Sequence, residues 1–206
     1  MIELFVSTLI TLFVVIDPFG CAPIYAGLTA NATPVHARAM AIRAVVVAAA
    51  ILVTFALFGE ALLRGLGISL ASFRIAGGIM LFLIALEMVF EKRTERREDR
   101  AAKVAASPEV EDVSIFPMAM PMLAGPGSIA SVMLLMSRNE GIERTLVILA
   151  ALGTILLLTL AALLAAGPLM RVLGAKIEAV VTRILGVLLA ALAVQFVIDG
   201  VKISLG

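Results

Sequence analysis

Tryptophan is absent from this chain of 206 residues, cysteine, histidine and tyrosine occur once each, and charged residues make up only 15% of it. Each shortage excludes something. A single thiol, Cys21, cannot build an intrachain disulfide framework. It lies beside a helix break where a small side chain fits, and nothing near it in sequence would activate it as a nucleophile. A single imidazole, His36, leaves no histidine–cysteine cluster for a metal. The chain also lacks a G-x-S-x-G elbow, an H-E-x-x-H run and a Walker A loop. The expectation is therefore a protein that is not an enzyme, holds no cofactor or metal and does not drive itself with nucleotide. Charge is too scarce for a wetted globule and is not gathered into a basic surface for nucleic acid.

What is abundant is apolar. Hydrophobic residues make up 62% of the chain and its mean hydropathy is +1.14, which places it in a lipid bilayer. Six apolar segments are expected, at about 3–28, 38–63, 71–91, 113–137, 144–166 and 178–201. The first carries no basic leader and no small-residue cleavage site, so it reads as a span and not as a removed signal.

The first and fourth segments are interrupted, at Asp17-Pro18-Phe19-Gly20 and at Gly125-Pro126-Gly127-Ser128. Pro18 has no N–H and deprives the Val14 carbonyl of its helical partner; Pro23 and Pro126 do the same to Phe19 and Met122. Before the breaks, Leu4 to Ile16 offers about 20 Å of helix and Val113 to Leu123 about 17 Å, so neither half crosses a core of about 30 Å alone. Unpaired backbone in hydrocarbon costs several kcal/mol and persists only where it faces protein or a water-filled cavity. A lone membrane proline usually marks a kink. A matched pair of breaks points to a solute passage.

Between the third and fourth segments, the stretch from Glu91 to Asp112 holds Lys92, Arg93, Arg96, Arg97, Arg100 and Lys103 among seven acids. Mixed charge with like-sign neighbours reads as a solvated, mobile connector. It divides the chain into 1–91, the linker 92–112, and 113–206. The halves correspond at an offset of about 108 positions: Asp17-Pro18-Phe19 falls on Gly125-Pro126-Gly127, Arg64 to Gly67 on Arg171 to Gly174, Arg74 to Gly77 on Arg183 to Gly186, and Glu87 on Gln195. Three spans per half turn the second half upside down, giving a 3+3 inverted repeat with broken helices 1 and 4. Arg38, Arg43, the six linker cations, Arg171, Lys176 and Arg183 form eleven cations on one side, against five (Arg64, Arg74, Arg138, Arg144 and Lys202) on the other. The positive-inside rule then puts the linker in the cytoplasm and both termini outside.

Asp17 is the one carboxylate deep in a span, where an acid costs at least about 2.5 kcal/mol unless it meets water, a partner or a cation. It is read both as a proton or cation coupling site and as a cap on amides freed by Pro18. Gly125 stands where the first half has Asp17, so one half supplies charge and the other bare backbone donors, which suits a zwitterion. Ser128 and Ser131 add hydroxyls, although such serines more often bond their own helix. Glu87 near its helix end favours headgroup exposure, and Arg74 and Arg183 read as snorkelling anchors with gating ion pairs as the other reading. Gly186 and Ala190 mark tight packing, within the protomer or across a dimer.

The runs DPFGCAPIY, from Asp17 to Tyr25, and PMAMPMLAGPGSI, from Pro117 to Ile129, resemble the MarC family of bacterial and archaeal membrane proteins. Family members show DP-x-G-x-x-P in the first span and P-x-x-P-x-x-x-GPG-x-I in the fourth. The resemblance extends over essentially the whole chain and implies an all-α, six-span inner-membrane protein. It also implies transport of small neutral amino acids such as glycine and alanine. The expected site has Asp17, Pro18, Phe19, Gly20 and Pro23 on one side and Pro121, Gly125, Pro126, Gly127 and Ser128 on the other. Its partners would be the bilayer, a small solute with H+ or Na+, and a second copy of the chain. A passive channel, an exporter of other metabolites and a non-transporting scaffold are the rival readings.

Overall fold

The structure, a computed structural model, describes residues 1–105, 112–139 and 141–205; in the helices, the side chains of 94, 100, 103–105 and 169–178 are not part of that description. Arg100, Lys103, Arg171 and Lys176, counted above for orientation, therefore lie outside the described side chains, as do the linker acids Glu109 and Glu111. Regular structure among the described residues is all helical. The helices are α1 (Ile2–Ile16), α2 (Pro18–Leu28), α3 (Pro34–Gly65), α4 (Leu70–Val89) and α5 (Lys92–Ala105). An irregular segment, Ser114–Leu123, precedes α6 (Pro126–Arg138), α7 (Ile142–Leu164) and α8 (Ala166–Leu205).

Local chemistry sets these boundaries. Thr33 caps α3 by accepting from the His36 amide at 3.3 Å, with Pro34 in the first helical position, and Ser69 caps α4 from the Ser72 amide at 3.1 Å. Between these helices Gly67 turns the chain at φ 69°. Ile2–Leu28, Pro34–Gly65, Leu70–Val89, Ile142–Leu164 and Ala179–Leu205 are each long and apolar enough to span a bilayer. Ser114–Leu123 and Pro126–Arg138 form a further pair, bent by 50°. Val46, Phe58, Leu83, Leu157 and Val187 are exposed on the outside, as a protein solvated by acyl chains requires.

Ser114–Leu123 corrects the expectation of a half-helix from Val113 to Leu123. Phe116 (φ −124°, ψ 125°) and Met120 (φ −131°, ψ 125°) are extended, each followed by a cis peptide bond to Pro117 or Pro121. A residue before proline is pushed out of the α region by the pyrrolidine ring, so two prolines four apart cut this half-span into short turns.

Two apolar clusters hold the bundle. One joins Leu12, Ile16, Ala44, Leu52, Met118, Leu123, Ile148 and Leu152; the other joins Val14, Val15, Leu81, Ala85, Met88, Leu134, Leu189, Ala193 and Phe196. Along the antiparallel seam of α4 and α8, a Cβ at Gly78 would lie 2.8 Å from the Ala193 carbonyl and from Val197. One at Gly186 would lie 2.9 Å from Met88 and 3.1 Å from the Ala85 carbonyl. Gly78 and Gly186 differ by about 108 positions, and so do Ala85 and Ala193. Gly186 thus serves packing within the protomer.

Candidate functional site

Asp17 is at once the last cap of α1 and the first of α2. Its backbone is left-handed (φ 58°, ψ 69°), a conformation aspartate tolerates better than most residues. Its amide still donates to the Phe13 carbonyl at 2.9 Å, and its carbonyl accepts from Cys21 at 3.1 Å. Oδ1 accepts from the Gly20 amide at 3.1 Å. The capping geometry expected of this carboxylate is therefore present. Gly20 is required by it, because a Cβ there would collide with Oδ2.

The second oxygen explains how a buried carboxylate is tolerated. Asp17 is 4% exposed, and Oδ2 accepts from Nη1 of Arg97 at 2.9 Å. Arg97 lies on α5, inside the stretch read as a solvated connector, so that reading is corrected for 92–105. The chain turns at Glu91, which is left-handed at φ 60°, and α5 folds back over the break. Arg93 and Arg97, four residues apart, share the inward face. Nη2 of Arg93 donates to the Val15 carbonyl at 2.5 Å, replacing an amide partner lost where the helical ladder stops at Asp17. Burial pushes the Arg93 guanidinium down to about 10, the charge of Arg97 adds to the effect and that of Asp17 opposes it, so Arg93 remains a cation at neutral pH.

The second break lies close by. Gly125 is the first cap of α6, and a Cβ there would collide with the Pro121 carbonyl. Gly127 packs so near Ile84 that a Cβ would sit 2.5 Å from its methyl. Pro121 and Gly125 through Ser128 line a cleft of about 370 Å³ together with Val15, Glu87, Arg93, Arg96 and Arg97. That volume is at the small end of the roughly 300–1,000 Å³ typical of small-molecule pockets.

Of the ten expected site residues, Pro121, Gly125, Pro126, Gly127 and Ser128 line this cleft together, and Asp17 reaches it through Arg97. The rest do not line it. Pro18 is buried as the first residue of α2, Phe19 packs edge-on against Phe13 at 5.7 Å, and Gly20 serves the cap. Pro23 faces a separate hollow of about 290 Å³ beside Glu98 and Ala101 of α5.

Sequence reasoning missed the three arginines. The available signal was the isolated Asp17, which needed a cation, and the four-residue spacing of Arg93 and Arg97. Glu87, expected among headgroups, instead lines the cleft and accepts from Arg96. Arg74 is 9% exposed and donates from Nη2 to the Ser137 carbonyl at 2.6 Å, holding the carboxyl end of α6 where a snorkelling anchor was expected. Arg183 pairs with Glu91 at 2.7 Å, and Gln195 donates to Asp199 at 2.7 Å.

Apolar helices of spanning length, a lipid-suited surface and polar backbone gathered inside define an all-α polytopic integral membrane protein. More specifically, the chain belongs to the MarC family: the model for MarC family integral membrane proteins matches residues 2–205. A UPF0056 membrane protein of Methanocaldococcus jannaschii is 38% identical over 205 residues, covering 98% of this chain and 97% of its own length. The UPF0056 membrane protein YvbG of Bacillus subtilis is 31% identical, covering 98% and 96%, and the UPF0056 inner membrane protein YhgN of Escherichia coli is 30% identical, covering 96% and 95%. No solved structure matches the chain.

Proposed function

We propose that this protein is a secondary transporter of a small polar solute, of the glycine or alanine type, and not an enzyme. In this reading it works by alternating access between two inverted three-span repeats in a prokaryotic inner membrane, with α5 on the cytoplasmic side. The observation that carries the reading is the convergence of the two chain breaks on one cleft: Gly125 through Ser128 line it, and Arg97 joins it to Asp17. Backbone uncovered inside a membrane protein is costly unless it lines a cavity, and a pure scaffold gains nothing from it. The reciprocal packing of Gly78 and Gly186 supports the repeat. Asp17 then has two successive duties: it caps α2 while Arg97 is bound, and it would be open to a proton or cation once Arg97 leaves.

The test is counterflow in proteoliposomes. Preloaded glycine or alanine should drive uptake of the labelled solute, and Pro126→Ala, which restores an amide at the bend, should slow exchange about tenfold or more. Flux that ignores preloading would indicate a channel, and no flux with any small amino acid would end the carrier reading.

A further inference from the structure

We propose that the cleft is a carboxylate site anchored by Arg93 and the amino end of α6, and that an ammonium group on the solute is dispensable. The proposal rests on the reading of this cleft as a solute site and deepens it by naming the group recognised.

The charges around the cleft do not balance. Asp17 is paired with Arg97, and Glu87 with Arg96. Arg93 has no carboxylate in an ion pair with it among the described residues; its acceptors there are the Val15 carbonyl and, at 3.0 Å, the Met88 sulfur, both neutral. A guanidinium offers five N–H donors, so capacity remains after those two bonds. Asp17 and Glu87 act on Arg93 only at a distance, each being bonded to another arginine, so a bound anion that contacts the partly buried guanidinium directly is favoured.

The amino end of α6, which lines the same cleft, offers donors of the same kind. α6 begins Gly125-Pro126-Gly127-Ser128, and no side chain caps it. The first intrahelical bond of α6 is donated by the Ile129 amide to the Gly125 carbonyl, at 3.0 Å, so the Gly127 and Ser128 amides come before the first intrahelical donor. Gly127 and Ser128 both line the cleft, and Ser128, 3% exposed, adds a hydroxyl there. Guanidinium and orphan amides facing one small cavity suit a planar oxyanion. An ammonium group meets only carboxylates already neutralised by Arg96 and Arg97.

The test is binding by calorimetry to the full chain in phosphatidylcholine nanodiscs, using alanine, lactate and alaninamide. Alanine and lactate should bind with similar affinity, and alaninamide should not bind. Arg93→Gln should weaken both about 10- to 100-fold, Arg93→Lys should restore part of the loss, and Ser128→Ala, which leaves the break intact, should weaken both about 5-fold. Binding of alaninamide, or of alanine without lactate, would overturn the proposal, as would unchanged lactate affinity in a folded Arg93→Gln protein. Loss of lactate binding in discs containing phosphatidylglycerol would assign the site to a lipid phosphate and overturn it too. Counterflow on the same preparation separates the two readings. Lactate binding without movement removes the carrier and keeps the site; alanine movement without lactate binding does the reverse.

Discussion

At the residue scale, Asp17 concentrates the physics of the molecule. It bridges two helices, caps the second and, among the described residues, carries the least exposed carboxylate–guanidinium pair, with side chains 5% and 10% exposed. Removing one member of such a pair leaves a buried charge and typically costs about 3–5 kcal/mol. Both Asp17→Asn and Arg97→Gln should lower thermal stability in detergent, and the double variant should recover much of the loss, giving a coupling of about 2 kcal/mol or more in a double-mutant cycle. Additive losses would mean that the pair contributes little. Gly20→Ala should independently destabilise by about 1–2 kcal/mol by displacing the capping carboxylate. Gly27→Ala, in the same helix with open space at its Cβ, should be neutral or slightly stabilising in the same melt.

At the element scale, the α4–α8 seam and α5 have different origins. The seam was partly legible, since Gly186 and the small residues of the last span signal close packing. Its partner was not, because a small residue says that something approaches and not what. Gly78→Ala and Gly186→Ala should each cost about 1–3 kcal/mol by forcing the backbones apart, whereas Gly153→Ala, with nothing near its Cβ, should be silent. Equal penalties at Gly78 and Gly186 would agree with their reciprocal contacts. The irregular segment Ser114–Leu123 is readable only in outline: Pro117 and Pro121 forbid a continuous helix, but hydropathy alone joins the segment into one rod. For α5 the charge pattern was misleading. Six cations and several acids resemble a hydrated tether until the turn at Glu91 is known to aim two of the arginines at a break.

At the scale of the whole molecule, the cation imbalance between loops predicts an orientation that single-cysteine labelling can check. Native Cys21 is buried, so an impermeant maleimide should react only with an introduced thiol. Glu95→Cys on α5 should label from the cytoplasmic side and Arg144→Cys at the start of α7 from the other. Labelling of both from one side would invalidate the six-crossing arrangement. That arrangement also accounts for the ties at the two ends of the bundle. Arg74 on Ser137 and Arg138 on Asp199 fasten the end where α6 finishes, and Arg97 on Asp17, Arg96 on Glu87 and Arg183 on Glu91 fasten the end under α5.

Membrane residence, the number of apolar segments, the position of both breaks and the family follow from the amino-acid sequence by itself, because hydropathy and the backbone limits of proline and glycine act over a few neighbouring residues. Which groups face one another was decided only by the tertiary structure. Arg97 meets Asp17 across 80 positions because α5 reverses at Glu91, and Phe19 and Pro23 leave the cleft because helix rotation turns them elsewhere. A charge needs a partner wherever it is buried, but its address in the sequence does not say from which helix that partner will come.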